Sequence, residues 1–250
     1  MIRSGFFHAQ TLLAVRLVLF LWPGPMSTAM KALIGANVAI FLAQTLVPSL
    51  TLAFGLVPAV VLGELQIWRL VSYMFLHGGL FHILFNMLAL WMFGTELERI
   101  WGTRYFLKFY FVTGIGAGAL TVLFSLLPFA GLQHANIIGA SGAIYGLLLA
   151  YAMYFPDRPI LLIIFPVPAR IAVAILGAIA LFSSLSDAGG VANATHLGGL
   201  LVAYLFLKGA RIHPISEVKY RYLKWKINRV RKKFDVYSGG RANDYDRRVH

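Results

Sequence analysis

From Met30 to Leu207 the chain is a succession of long apolar runs separated by short polar breaks. Runs near 30–48, 80–98, 105–127, 137–155, 170–187 and 191–208 each approach the roughly 20 apolar residues that a helix needs to cross a bilayer. The pattern predicts an all-α membrane protein with six transmembrane helices and no room for a separate soluble enzyme domain. Two connections stand out. Ser49 to Gly79 forms a long loop between the first and second spans, rich in Leu, Val and Trp, and is read as lying in the membrane interface. Pro156 to Arg170 is apolar but carries Pro156, Pro159, Pro166 and Pro168, which oppose a continuous helix, so it is read as an interfacial loop on the other side. Near the N-terminus, Thr11 to Trp22 is apolar but broken by Arg16, and only Pro23-Gly24-Pro25 follows, with no A-x-A-like cleavage site; it is read as an interfacial helix. The expected organisation is an N-terminal segment 1–29, a six-helix domain 30–208 and a tail 209–250.

Composition agrees with a bilayer as solvent: 59% of residues are hydrophobic and 12% charged, against about 25% charged in an ordinary soluble domain. The formal net charge of +13 would fit nucleic acid, but its placement argues against that partner. After Lys208 stand twelve Lys or Arg against four acids, a basic segment next to the last span that is read as lying beside anionic lipid. An even number of spans puts both termini on one side. Arg99, Arg104, Arg158, Arg170 and the tail mark that side as cytoplasmic by the positive-inside rule, and the expected location is a prokaryotic plasma membrane. The absence of cysteine excludes disulfides, a thiolate nucleophile and Cys-ligated zinc. No metal and no cofactor are expected.

Polar residues inside a span are costly and mark function by default. Here they are few. His82 and Asn86, four apart, share a helix face at the start of the second span, with His77 just before. Ser141 and Tyr145 share a face at the start of the fourth, beside a stripe of Gly142 and Gly146 that lets helices approach closely. In the sixth span His196 projects from a face otherwise made of Ala192, Gly199 and Ala203. Spans two, four and six run in one direction, so His82, Ser141 and His196 fall at a common depth, roughly 3–9 Å below the outer boundary. A serine hydroxyl needs a base to become a nucleophile, and a neutral imidazole can serve. Ser141 and His196 supply that pair. His82, the Asn86 amide and the backbone N–H of Ser141 supply donors for a tetrahedral oxyanion.

Each residue alone has a plainer reading: a Ser near a helix start as a cap, a lone His as a packing or proton-relay group, Tyr145 as a core aromatic. It is their matched depth that favours catalysis. Asp187 is placed too far before His196 to serve readily as a third triad member, and Gly139-Ala140-Ser141-Gly142 is not a G-x-S-x-G elbow, because position 143 is alanine. Two readings from other classes remain: a non-catalytic binder of transmembrane helices, and a proton-coupled transporter relaying through His82 and His196. The transporter needs a polar path across the bilayer, which the inner halves of the spans lack.

The motifs resemble those of the rhomboid family of intramembrane serine proteases. Trp68-Arg69 stands in the first loop; His77, His82 and Asn86 form H-x-x-x-x-H-x-x-x-N; Gly139 to Gly142 form G-x-S-G; His196 to Gly199 form H-L-G-G. The similarity covers about residues 30–208. It implies a six-helix rhomboid bundle, a Ser141–His196 dyad without an acidic third member, His82 and Asn86 at the oxyanion site, and Tyr145 packed on His196. Transmembrane-helix proteins are the implied substrates, cut in or beside the membrane from a site open to the extracytoplasmic side. Glu98 and Arg69 are implied to brace the structure rather than react. Thr195 departs from the small apolar residue usual before the catalytic His, and is expected to affect packing only.

Overall fold

The computed structural model describes residues 24–127, 132–162, 165–185 and 190–211. The N-terminal apolar segment, Asp187 and the tail beyond 211 lie outside the described residues. Two units are distinguished, Met1–Leu207 and Lys208–His250.

Helix α1, Thr28–Leu46, starts where Ser27 caps it: the Ser27 hydroxyl accepts the Met30 N–H at 3.0 Å and donates to Glu98 Oε2 at 2.7 Å. Glu98 is buried and its other oxygen accepts from Thr103 Oγ1 at 2.7 Å. One carboxylate thus ties the start of α1 to the adjoining ends of the next two long helices. The first loop is not featureless. It holds α2 (Ser49–Phe54), α3 (Pro58–Gly63), α4 (Arg69–Ser72) and a 3-10 turn, Tyr73–Phe75. Arg69 is buried and organises it, donating from Nη1 to the carbonyls of Leu52 and Gly55 and from Nε to Gln66 Oε1.

The planar guanidinium suits three acceptors arranged around it, which the single ammonium of Lys does not match. Replacing Arg69 with Met leaves partly desolvated carbonyls unpaired and is expected to cost about 2–3 kcal/mol. Thermal unfolding in detergent should show a lowered midpoint for Arg69→Met that Arg69→Lys does not fully restore.

Helix α5, Leu80–Trp101, is a continuous rod with one π-helical turn at Leu90–Gly94. Helix α6 spans Thr103–Phe124 after Gly102, whose φ of 76° makes the sharp corner that a glycine adopts readily. Helix α7, Ser141–Tyr154, is apolar on every side and buried at nine of its positions, the pattern of a helix surrounded by others. Helices α8, Ala169–Leu185, and α9, Gly190–Arg211, complete the described elements. Helices therefore occupy all six apolar stretches. Among the described residues three are long and apolar enough to cross a membrane: Thr28–Leu46, Leu80–Trp101 and Thr103–Phe124.

Two sequence expectations need correcting. Pro156 to Arg170 is not simply a loop: β1 (Pro159–Leu162) pairs antiparallel with β2 (Phe165–Pro168), with Pro159 opposite Pro168 and Leu161 opposite Pro166. Prolines block a helix but are tolerated in a two-stranded ribbon, where each strand is an edge and need not donate every N–H. The fourth helix starts at Ser141 and not near 137. Gly139 has a φ of 125°, and Ile137 is held extended by two 2.9 Å backbone bonds with Leu56, so helix cannot begin before Ser141.

Candidate active site

The site is built on the starts of α5 and α7 and on α9. His196 Nε2 lies 2.8 Å from Ser141 Oγ, within reach for direct proton transfer. The ring of Tyr145, one turn after Ser141, stacks on the His196 imidazole with centroids 4.2 Å apart and planes 6° from parallel. His196 Nδ1 is buried with no hydrogen-bond partner among the described residues. The imidazole is thus oriented by stacking on one face and by the serine at one nitrogen.

Small residues let the two helices meet this closely. A Cβ added to Gly199 would overlap the carbonyl oxygen of Gly142, and one added to Gly142 would stand 2.9 Å from Ala117 Cβ and 3.2 Å from Thr195 Cγ2. Gly142 and Gly199 are therefore contact points between α7 and α9, which carry Ser141 and His196.

His82 approaches from α5. Its Nδ1 accepts the Gly78 N–H at 3.2 Å, which leaves the proton on Nε2. That nitrogen faces Gly139: a Cβ on Gly139 would lie 2.8 Å from His82 Nε2 and 3.7 Å from Ser141 Oγ. Gly139 is thus constrained twice, by its positive φ and by the imidazole, and its N–H donates to the Tyr73 carbonyl at 2.9 Å. Ser141 opens α7 with no side-chain cap, and the first bond along the helix is Ile144 N–H to the Ala140 carbonyl. The N–H groups of Ser141, Gly142 and Ala143 precede that bond and give the helix start its partial positive charge. Asn86 is buried and spends one Nδ2 proton on the His82 carbonyl at 2.8 Å, leaving the second for another acceptor.

A cavity of about 230 Å³ opens beside Ser141 and His82. Its remaining wall comes from Tyr73, Asn136, Ile137, Ile138, Gly139 and Thr195. Among these, Gly139 and Thr195 stood in or beside a sequence motif, and the others did not. Tyr73 is fully buried, with its hydroxyl donating to the Gly114 carbonyl at 2.7 Å. Thr195 does more than fill space: its Oγ1 is 2.9 Å from Thr121 Oγ1 and it lines the cavity. The position directly before His196 was the available clue. Trp68 and Arg69 stand in the first loop, Trp68 half exposed and Arg69 buried in its carbonyl nest.

His77 packs edge-on against His82, ring centroids 5.0 Å apart, in the turn before α5. Burial, and secondarily the neighbouring His82, pull its pKa from 6.5 down to about 4. Between those values the unfolded chain takes up a proton that the folded protein refuses, so His77's contribution is full above pH 6.5 and is lost as pH falls toward 4. His77→Gln should weaken the acid sensitivity of the thermal midpoint, measured by comparing pH 7 with pH 5 in both proteins.

Comparison with known proteins agrees with the geometry. The family model described as Rhomboid domain matches residues 64–210. "Rhomboid protein 1, mitochondrial" of Saccharomyces cerevisiae is 34% identical over 135 residues, covering 53% of this chain and 38% of its own. "RHOMBOID-like protein 2" of Arabidopsis thaliana is 30% identical over 177 residues, covering 71% of this chain and 52% of its own. "Rhomboid protease GlpG" of Yersinia pestis (strain Pestoides F) is 35% identical over 142 residues, covering 56% and 47%. The chain spans about half or less of the length of these relatives. With the domain covering more than half of its 250 residues, and helices apolar enough to span a bilayer, the chain is an integral membrane protein that belongs to the rhomboid family.

Proposed function

We propose that this protein is an intramembrane serine endopeptidase that cuts substrate proteins within or next to a transmembrane segment, using Ser141 as nucleophile and His196 as base. The observation that carries this reading is the 2.8 Å contact between His196 Nε2 and Ser141 Oγ. In the proposed sequence His196 takes the Ser141 proton as Oγ bonds to the scissile carbonyl carbon. The oxyanion accepts from His82 Nε2–H, the Ser141 N–H and the free Asn86 N–H. His196 then protonates the leaving amine, and the acyl-enzyme is hydrolysed by water that gives its proton to His196. The name "Rhomboid protease" carried by one relative is consistent with this chemistry.

In this reading the six helical stretches all span the membrane, 30–208 being the catalytic domain flanked by segment 1–29 and tail 209–250, and the first loop lies in the interface. The site opens to the extracytoplasmic side. Ser141 and His82 sit at the starts of their helices, whereas Arg99 and Arg158 pair with Glu96 in the last turns of α5, and Arg170 pairs with Asp157 beyond the end of α7. That asymmetry supports cytoplasmic termini, with the basic tail beside anionic headgroups. The relatives come from a bacterium, a yeast and a plant, so a prokaryotic membrane rests on the sequence reading alone. The test is incubation of the purified protein in liposomes with single-span substrates, mapping products by mass spectrometry. A cut at a defined bond in or beside the span is expected; intact substrates that nonetheless co-purify with the protein would favour a helix-binding role.

A further inference from the structure

We infer that Gln44, on the first helix, is a positioning residue: it fixes the peptide plane between His77 and Gly78 and thereby holds His82 with its proton on Nε2, aimed at the reaction site. Three observations meet here. Gln44 is buried, and its amide pairs with the His77 backbone as a strand would, Oε1 accepting the His77 N–H at 3.0 Å and Nε2 approaching the His77 carbonyl at 3.5 Å. Nε2 also donates to Thr51 Oγ1 at 2.8 Å; the His77 N–H, which can only donate, decides which end of the amide is oxygen. The His77 carbonyl belongs to the same peptide unit as the Gly78 N–H, and that N–H is the donor to His82 Nδ1 at 3.2 Å.

The anchor matters because Gly78 and Gly79 carry no side chains to restrain the turn. If that peptide plane rotated by half a turn, a carbonyl would face Nδ1. The imidazole would then move its proton to Nδ1 and present a lone pair, not a donor, at Nε2. The serine and its base would be untouched while one oxyanion donor was lost.

The role of the donor in rate rests on the proposed protease activity; the tautomer does not. Nitrogen-15 NMR of histidine-labelled full-length protein in detergent micelles, with His82 assigned through His82→Asn, reads which nitrogen is protonated. Wild type should carry the proton on Nε2. The near-isosteric Gln44→Met should shift the population toward Nδ1–H and lower kcat about tenfold, with KM within about twofold. Gln44→Glu keeps an acceptor for the His77 N–H but loses the donor to its carbonyl, and serves the same test should the Met variant fail to fold. Wild-type His82 protonated on Nδ1, or a folded Gln44 variant whose tautomer is unchanged, overturns the inference. A wild type that cleaves nothing refutes the protease reading alone, and the tautomer measurement still decides the role of Gln44.

Discussion

Ser141→Ala and His196→Ala each lower cleavage of a single-span substrate by about 10⁴-fold or more, and the double variant is little worse than either single one. Both side chains serve one proton transfer across 2.8 Å, so removing either removes the step. Neither change should unfold the protein. Ser141 stands at a helix start that uses no side-chain cap, and loss of its hydroxyl leaves the α7 backbone as it is. His196 is held chiefly by Tyr145, so His196→Ala opens space beside that ring and should cost stability more than Ser141→Ala does. Equal losses of rate with unequal losses of stability would separate a chemical role from a packing one.

Gly199→Ala is expected to lower kcat about 100-fold, the scale of a misplacement of about 1 Å between reacting groups. The added methyl would meet the Gly142 carbonyl oxygen, a backbone atom that cannot rotate aside as a side chain would. The helices bearing Ser141 and His196 must therefore separate or shift. A control lies in the first helix: a Cβ on Gly35 has nothing within 4 Å, so Gly35→Ala should leave activity unchanged and stabilise α1 slightly. Comparing steady-state rates and thermal midpoints of the two variants tests whether position, rather than any glycine replacement, is responsible.

Much of this arrangement was legible from spacing. The four-residue separation of His82 and Asn86 puts the Asn86 amide against the His82 carbonyl, and that of Ser141 and Tyr145 puts a ring one turn below the serine, where it meets His196. Helical periodicity carries such information because it is local. What it does not carry is contact between distant segments. The extended run before Ser141 depends on pairing between Ile137 and Leu56, and the Gln44 contact joins α1 to a turn 33 residues away. Tyr73 and Ile138 belong to no motif, and become cavity wall only when the first loop folds back. The ribbon at Pro159–Leu162 shows the other kind of omission: its prolines signalled the end of a helix, but a signal against helix does not distinguish loop from strand pairing.

The central claim, that Ser141 Oγ is a nucleophile activated by His196, is tested most directly by treating the purified protein with a serine-directed fluorophosphonate and mapping the adduct by mass spectrometry. The account predicts one phosphonylated peptide containing Ser141, with labelling slowed strongly in His196→Ala and absent in Ser141→Ala. No adduct on the folded wild-type protein, or labelling that survives Ser141→Ala at full rate, would contradict it.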